Sequence, residues 1–490
     1  MTMSKIRDMR GFLASSIGVT CAAALALPLT PPAAAANPAS AAAPAAAARP
    51  AASAEVLGST QSLPLAPLAR DRTLAPVAEQ GLSRRDVRHF SLVGVVWDDP
   101  DTVLHGRVQV RTRAAGADTW SGWQDLEAHN DDTADPGTAE RTSGRVHGAT
   151  APLWVGDSDG VEVRVRAEAD RRTEDTARGS RTAMAVAPLP TGLRLELVDP
   201  GEGAPESVPR TVPMAGAPHR SAPHRSAPTT GPAEALGAMD ASTTEASAAN
   251  AGLAALGATE LPALDRRQTE QELFALRAGE LTEQQRVRPY IGPRPRIVTR
   301  RGWGADEKLR EKKFVYTKKA KAAFVHHTAS GNGYRCAQAP SLIRGIYRYH
   351  VKSMGWRDIG YNFLVDKCGN IYEGRAGGVA KPVLGAHTLG FNTNSVGIAV
   401  LGSYDATKPS AAAVKAVARL TAWKLGLYGA NPKGKTYLKS GGGNLYRKGK
   451  KVRLNVISGH RDGFNTECPG RLLYGKLGST RSTSARYQGR

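Results

Sequence analysis

The sequence predicts a multidomain protein with a β-sandwich-like N-terminal domain, a disordered linker and a C-terminal mixed α/β domain whose central sheet is flanked by helices. Three observations lead to this fold class. Apolar and polar residues alternate at period two between residues 85 and 200, residues 201–295 are rich in Ala, Pro, Ser, Thr and Gly, and strand-like runs interleave with amphipathic helices after residue 296. At 490 residues the chain is long enough for two or three domains.

The first 36 residues have the features of a secretory signal peptide. Lys5, Arg7 and Arg10 precede an apolar stretch, and the small residues at 33–36 would form a cleavage site. Residues 37–84 are rich in Ala and Pro and poor in bulky apolar side chains, which is typical of a flexible leader. No later stretch reaches the ~18 apolar residues that a membrane helix needs. We therefore expect an exported protein without a transmembrane segment.

Alternating segments and turn-forming residues predict an antiparallel sandwich over residues 85–200. The predicted strands are Phe90–Trp97, Gly106–Arg111, Val161–Arg166 and Leu193–Val198. We expect Asp157–Gly160 to be a plain turn, because it lacks the downstream acidic ligands of a calcium loop. Trp120, Trp123 and Trp154 are interpreted as core residues, with a sugar-stacking platform as the alternative. The ligand of this domain is left open.

The composition of residues 201–295 predicts a disordered linker, which could contain a short helix at Gln268–Ala278. The C-terminal domain that follows is strongly basic. Residues 296–490 hold 36 Lys and Arg against 9 Asp and Glu, a balance of +27, whereas the rest of the chain carries −5, so the positive net charge of +22 comes from this domain. In an exported protein the natural polyanions for such a domain are peptidoglycan carboxylates, teichoic acids and membrane headgroups, and we expect anionic wall polymers as partners. Nucleic acid is not expected, because the basic residues form no recognition helix or RNA-binding sheet motif.

Helical and strand-like periodicities divide the C-terminal domain into elements. The predicted helices are Ser341–Met354 and Pro409–Leu425, and the predicted strands are Tyr361–Val365, Asn370–Glu373, Ser395–Leu401 and Leu454–Ile457. The strands at 361–365 and 370–373 would form a hairpin.

Two histidines follow strand-like runs in this domain, and a cysteine lies close to one of them. His460 comes shortly after the strand at 454–457, Cys468 lies eight residues further on, and His326 ends another apolar run. Imidazole and thiolate are ligands that suit Zn²⁺, and a catalytic zinc needs three protein ligands and an open position. A His–Cys pair taken alone is a weak signal.

Seven short motifs strengthen the interpretation of these histidines and this cysteine as a zinc site. They are Arg301–Ala305, Val325–Ala329, Asp358–Phe363, Ile371–Arg375, Gly385–His387, Asn394–Ile398 and His460–Cys468. In this order, residues 296–475 resemble the zinc amidases of the peptidoglycan recognition protein family, which are related to phage N-acetylmuramoyl-L-alanine amidases. The resemblance implies His326, His460 and Cys468 as zinc ligands. It also implies catalytic roles for Tyr361 and for Thr466, which stands where phage relatives carry lysine.

The resemblance further implies a secreted, wall-associated and monomeric zinc amidase that hydrolyses the amide between the muramic acid lactyl group and L-alanine in peptidoglycan. The alternative is a non-catalytic module that only binds peptidoglycan. Binding-only members of the family have typically lost ligands, so the presence of Cys468 favours hydrolysis. His387, Asn392 and Arg375 are the predicted substrate-binding residues. Glu373 could carry a proton, although the family pattern favours a structural role.

The expected states of the four cysteines follow from the signal peptide and from the proposed ligand set. Cys21 would leave with the signal peptide and Cys468 would bind the metal, so Cys336 and Cys368 are expected to form a disulfide in an oxidising compartment. Two free buried thiols are the alternative. A bridge that closes a loop of this size stabilises the fold by roughly 3–4 kcal/mol in the chain-entropy model.

Overall fold

A computed structural model describes residues 58–68, 79–128, 131–168, 187–202 and 239–490. The predicted signal peptide, most of the leader and residues 203–238 of the predicted linker lie outside the described residues. In the part of the chain described, no helix has both the length and the hydropathy needed to cross a membrane.

An antiparallel sheet of eight strands forms the N-terminal domain. Its strands are β1 (Ser59–Pro64), β2 (Ala66–Pro67), β3 (Glu79–Trp97), β4 (Gly106–Ala114), β5 (Gln124–Leu126), β6 (Gly148–Ala149), β7 (Leu153–Ala167) and β8 (Arg194–Asp199). The main order is β1-β8-β3-β7-β4-β5, and β2 and β6 pair with β3. The four predicted strands coincide with parts of β3, β4, β7 and β8 to within one residue. Hydrogen bonding joins the described strands into one sheet, and the two layers of the predicted sandwich stay a prediction.

The run Phe90–Trp97 in β3 is buried on both of its faces. Val93 and Val95 belong to the core of the N-terminal sheet. Leu92 and Val96 point the other way and pack in a cluster with side chains of the C-terminal domain. A strand that is covered on both faces has a near-continuous apolar sequence, as this one does. The two domains therefore share one hydrophobic cluster.

The segment Asp157–Gly160 is not the predicted turn, because it lies inside β7. The Asp159 carboxylate accepts hydrogen bonds from Arg113 Nε at 2.9 Å and from Arg113 Nη2 at 2.8 Å. Asp157 Oδ1 lies 2.5 Å from His89 Nε2. Cross-strand partners thus satisfy both carboxylates, so a turn-like composition is compatible with a strand here.

The three tryptophans are not core residues, since each is only half-buried. Trp120 lies 5.1 Å from the guanidinium of Arg84, and Trp123 lies 4.0 Å from that of Arg164. Trp154 packs at the edge of the cluster shared between the domains. Cation–π contacts cover the faces of the first two rings, so these rings need no apolar surroundings. The sugar-stacking alternative stays a hypothesis.

The C-terminal domain is built on a mixed sheet of seven strands. They are β9 (Glu260–Leu261), β10 (Ile297–Val298), β11 (Ala322–His327), β12 (Phe363–Val365), β13 (Ile371–Glu373), β14 (Ser395–Val400) and β17 (Ile457–Gly459). Their order is β17-β11-β14-β12-β13-β10-β9, and β17, β11, β14 and β12 run parallel to one another. A separate hairpin consists of β15 (Lys435–Lys439) and β16 (Lys451–Asn455).

Helices pack on both faces of this sheet. They are α1 (Ala241–Ala248), α2 (Arg266–Arg277), α3 (Glu283–Val287), α4 (Ala339–Arg348), α5 (Ala411–Gly426), α6 (Arg471–Tyr474) and α7 (Leu477–Gln488). Along β12 the side chains alternate, so Phe363 and Val365 share a cluster with residues of α5, whereas Leu364 shares one with residues of α4. The predicted helices correspond to α4, extended by a π-helical turn at Tyr349–Ser353, and to α5.

Parts of the predicted leader and linker are folded. β1 and β2, which fall in the predicted leader, pair with β8 and β3. Leu261, Leu273 and Ile291, which fall in the predicted linker, belong to the core of the C-terminal sheet. The predicted helix at 268–278 corresponds to α2. These apolar residues are widely spaced among small and polar ones, so local composition does not reveal that each fills a place at the sheet.

The predicted disulfide between Cys336 and Cys368 is present. It joins the start of the 3₁₀ turn before α4 to the hairpin between β12 and β13, across 32 residues of sequence. Cys468 is the free cysteine among the described residues, and it is buried.

Candidate metal centre

Two parallel strands bring the predicted histidine ligands together. β11 pairs with β17 so that Val325 lies opposite Gly459, which places His326 and His460 side by side at the carboxyl ends of the two strands. Their ring centroids are 4.6 Å apart. Alternation along β11 sends the neighbouring His327 to the other face, where its Nδ1 accepts a hydrogen bond from the Tyr404 N–H.

The loop after His460 returns Cys468 to these histidines. The Arg461 N–H donates a hydrogen bond to the Cys468 carbonyl at 3.1 Å, which closes the loop. Cys468 Sγ lies 3.7 Å from His326 Nδ1. The ligand atoms of His326, His460 and Cys468 all lie within 4.8 Å of one another, and all three side chains are buried.

This trio fits a zinc ion. Both ring nitrogens of His460 are buried and make no well-aligned hydrogen bond among the described residues, although Asp132 Oδ1 lies 3.0 Å from Nδ1. A buried ring of this kind is available to bind a metal. The hydroxyl of Thr388 lies 3.3 Å from His326 Nε2, so the other nitrogen, Nδ1, is the one turned to Cys468. Burial, followed by the charges of Asp132 and Asp131, raises the pKa of the Cys468 thiol, and a bound cation would act in the opposite direction.

Tyr361 lies beside the histidines, with its ring centroid 5.6 Å from that of His326. Its hydroxyl is buried and donates a hydrogen bond of 2.5 Å to Asp132 Oδ2. Burial and then the charge of Asp132 raise the pKa of Tyr361 well above its usual range. The hydroxyl therefore keeps its proton and can act as a donor.

Thr466 is half-buried in the loop that carries Cys468. Its Oγ1 accepts a hydrogen bond from the Cys468 N–H at 3.2 Å. In this position the hydroxyl helps to shape the loop around the thiol. A catalytic role for Thr466 stays a prediction.

The three predicted substrate residues have different surroundings. His387 is fully buried, with its ring 5.2 Å from that of His326, and burial lowers its pKa well below the usual range. Asn392 Nδ2 donates hydrogen bonds to the Thr133 carbonyl at 2.8 Å and to Asp135 Oδ1 at 2.7 Å. The guanidinium of Arg375 holds a carboxylate of the N-terminal domain, as described below.

An acidic loop of the N-terminal domain, residues 131–140 between β5 and β6, lies against the candidate centre. Asp132 Oδ1 is 3.0 Å from His326 Nδ1 and 3.0 Å from His460 Nδ1. Further along the loop, Glu140 forms a buried two-pronged ion pair with Arg375, with distances of 2.9 and 2.8 Å. Sequence reasoning missed this loop.

A signal for it was present in the sequence. Residues 131–140 contain four acidic residues and no basic one, and they precede a strongly basic domain. Such charge complementarity indicates contact between the two, although it does not identify the contacting residues.

The buried carboxylate of Glu373 is held by hydrogen bonds from two other segments. Asn250 Nδ2 donates to both of its carboxylate oxygens, at 2.9 and 3.0 Å, and the Arg300 N–H donates to one of them at 3.2 Å. Burial raises the pKa of Glu373 to about 7. These contacts tie the segment before β9 to the sheet, which agrees with the structural role favoured for this residue.

The raised pKa of Glu373 predicts a pH-dependent stability. Its contribution is complete below the unfolded value of 4.5 and is lost as the pH rises through about 7. The free energy of unfolding of the wild type, minus that of Glu373→Gln, should therefore fall by up to about 3 kcal/mol between pH about 4.5 and 8. Urea unfolding at several pH values measures this difference, with the exposed Glu283→Gln as control. If the difference in the free energy of unfolding between wild type and Glu373→Gln did not change with pH, the prediction would be wrong.

Comparisons with known proteins agree with the motifs. Residues 316–471 match the N-acetylmuramoyl-L-alanine amidase family, and residues 38–187 match a family described as Rv3811 N-terminal galactose-binding domain-like. Peptidoglycan-recognition protein SC2 of Drosophila simulans is 32% identical over 155 residues, which is 32% of this chain and 71% of that protein. The chain belongs to the peptidoglycan recognition protein and type 2 amidase family.

Two other known proteins are similar to part of the chain. The human N-acetylmuramoyl-L-alanine amidase is 33% identical over 159 residues, which is 31% of this chain and 23% of that protein. The solved structure of Drosophila PGRP-LB is 26% identical and covers 37% of this chain and 92% of that chain, with a TM-score of 0.29. The match at residues 316–471 and the similarity to SC2 confirm the predicted resemblance for the C-terminal domain, and the N-terminal domain is galactose-binding-like.

Proposed function

We propose that this protein is a secreted zinc-dependent N-acetylmuramoyl-L-alanine amidase that hydrolyses the lactyl–L-alanine amide of peptidoglycan. The observation that carries the proposal is the convergence of His326, His460 and Cys468, whose buried ligand atoms lie within 4.8 Å of one another. Two neutral imidazoles and one thiolate are a donor set that holds zinc and leaves one position open. Zinc, when bound, would polarise the scissile carbonyl and acidify a water molecule.

The chain's own residues would orient and stabilise the reacting groups. The Thr388 hydroxyl bridges His326 Nε2 at 3.3 Å and His387 Nδ1 at 3.0 Å, and so fixes the orientation of the His326 ring. The Tyr361 hydroxyl, which keeps its proton, would donate a hydrogen bond to the oxyanion that develops on the carbonyl oxygen. Exclusion of bulk water from this buried site would strengthen that hydrogen bond.

The charge of the C-terminal domain supports a wall polymer as the partner. Its 36 basic residues against 9 acidic ones would attract the carboxylates of stem peptides and other anionic wall polymers. An extracellular, wall-associated location follows from the same partner and from the signal peptide expected at residues 1–36.

A peptidoglycan-binding module without activity is the second candidate. The family relatives named peptidoglycan-recognition proteins favour it. The intact trio of ligands favours hydrolysis, because recognition of sugar and peptide alone needs no metal.

The amidase function is tested by incubating zinc-loaded full-length protein with purified peptidoglycan. We expect release of stem peptides with a free L-alanine amino group, loss of that release on chelation, and recovery when zinc is added back. The control is chelated protein given Mg²⁺, which prefers oxygen ligands and should not restore activity. Wall binding without release, by both the wild type and the Asp132→Ala variant discussed next, would leave only the binding module.

A further inference from the structure

We propose that residues 131–140 form a latch that holds the candidate centre closed, with Asp132 as the fourth ligand of the bound zinc. This inference rests on the proposed function, because it assumes that His326, His460 and Cys468 bind zinc. The latch comes from the N-terminal domain, so it gives that domain a regulatory role toward the other.

The distances around Asp132 are close to those of a four-coordinate site. With bonds of usual length, a tetrahedral zinc separates a histidine nitrogen from a carboxylate oxygen by about 3.3 Å, and from a thiolate sulfur by about 3.6 Å. Asp132 Oδ1 lies 3.0 Å from each of the two histidine Nδ1 atoms, and Cys468 Sγ lies 3.7 Å from His326 Nδ1. A carboxylate is also an ordinary zinc ligand.

The second carboxylate oxygen of Asp132 engages the Tyr361 hydroxyl, which is the proposed donor to the oxyanion. Oδ2 accepts the 2.5 Å hydrogen bond from the Tyr361 hydroxyl, which the proposed reaction reserves for the carbonyl oxygen of the substrate. One carboxylate thus fills both the open metal position and the hydrogen-bonding position beside it. A substrate carbonyl can reach these groups only in molecules in which Asp132 has moved away.

The residues after Asp132 are anchored at the edge of the same site. Asp135 Oδ1 accepts hydrogen bonds from the Gly390 N–H at 2.8 Å and from Asn392 Nδ2 at 2.7 Å, and the Thr133 carbonyl also accepts one from Asn392. The Leu389 N–H donates to the Asp131 carbonyl at 3.0 Å. The loop therefore satisfies a side chain that was predicted to bind substrate.

A second anchor holds the far end of the loop. The Glu140 carboxylate accepts two hydrogen bonds from Arg375 and one from the Arg357 N–H at 3.1 Å. Arg375 was likewise predicted to bind substrate. The positive charges of Arg375 and then Arg357 hold the pKa of Glu140 below its usual value against the opposing effect of burial.

Burial and charge support a specific docking rather than a chance contact. Residues 131–135 are all buried, although three of the five are aspartates. Burying carboxylates costs free energy unless partners compensate them, and connecting segments normally run over the surface. Here the C-terminal domain supplies such partners for Asp132, Asp135 and Glu140.

The latch is tested with cobalt(II)-substituted full-length protein, whose visible absorption reports the ligands of the metal. In the wild type, added azide should leave the spectrum unchanged, because Asp132 fills the fourth position. In Asp132→Ala the spectrum should change on azide addition, and the zinc form should release stem peptides at least about tenfold faster than wild type. Asp118→Ala, which removes an exposed carboxylate of the same domain, serves as the matched control and should behave as wild type.

The outcomes separate the latch from the proposed function. Suppose that azide changes the spectrum of Asp132→Ala but not that of the wild type, and that neither protein releases stem peptides. This result would support the latch and contradict the proposed amidase function. A wild-type centre that binds azide as readily as the variant overturns the latch, whatever the activity. Should Asp132→Ala fail to fold, Asp132→Asn keeps the side-chain volume while weakening the ligand, and the same spectral criterion applies to it.

Discussion

Replacing Cys468 by serine should lower the rate of stem-peptide release by about 10³-fold or more, because a neutral hydroxyl is a poor zinc ligand and the Lewis-acid contribution of the metal is several kcal/mol. Cys468 is the free cysteine among the described residues and its Sγ lies 3.7 Å from His326 Nδ1, so no second free thiol of this part of the chain can take its place. The measurements are zinc content and turnover, made in the full chain and on the Asp132→Ala background. Binding to insoluble peptidoglycan should match that of the parent protein.

The comparison with chelated parent protein controls for the loss of zinc itself. If the ligand assignment holds, the chelated parent and Cys468→Ser should have similar residual rates, and zinc should restore only the parent. Stoichiometric zinc together with full turnover in Cys468→Ser would show that the thiol is not a ligand.

Tyr361→Phe should lower kcat by about 10²–10³-fold and change KM little, which is the usual cost of one lost oxyanion donor. The ring and its packing beside His326 remain, so fold and zinc content should survive. Both kinetic constants should be measured in the Asp132→Ala background. With Asp132 present, the Tyr361 hydroxyl also donates a hydrogen bond to its carboxylate, so removing the hydroxyl could loosen the loop as well.

Tyr437→Phe is a matched control for this substitution, since Tyr437 is 58% exposed and lies on β15. It should leave both kinetic constants unchanged. An unaltered kcat in Tyr361→Phe would reduce the residue to a structural role, and a change confined to KM would assign it to substrate recognition.

The strands and long helices could be predicted from local periodicity because their burial repeats along the chain. Phe90–Trp97 is continuously apolar since both of its faces are covered, and α5 begins after Ser410, whose hydroxyl accepts a hydrogen bond from the Ala413 N–H. The ligand residues could be predicted only through the family resemblance, because the pairing of β11 with β17 joins residues far apart in sequence.

What could not be predicted depends on contacts between distant segments. Asp132 and Tyr361 are 229 residues apart, and nothing in the local sequence of either reports the other. The same applies to Asn250, which has the composition of a linker around it but is fixed by the Glu373 carboxylate. Side-chain contacts of Asp159 with Arg113 and of Asp157 with His89 explain why a turn-like segment is a strand in β7.

The position of the acidic loop within the same chain has a consequence for its effective concentration. Because this loop belongs to the same chain as the candidate centre, the proposed latch would be intramolecular, and its local concentration would not fall when the protein is diluted. A short tether of this kind corresponds to an effective concentration in the millimolar range. A separate inhibitory protein would have to accumulate to such a level to restrain the enzyme equally. Under the proposed function, dilution after secretion would therefore leave the latch closed, and its release would have to act on each molecule separately.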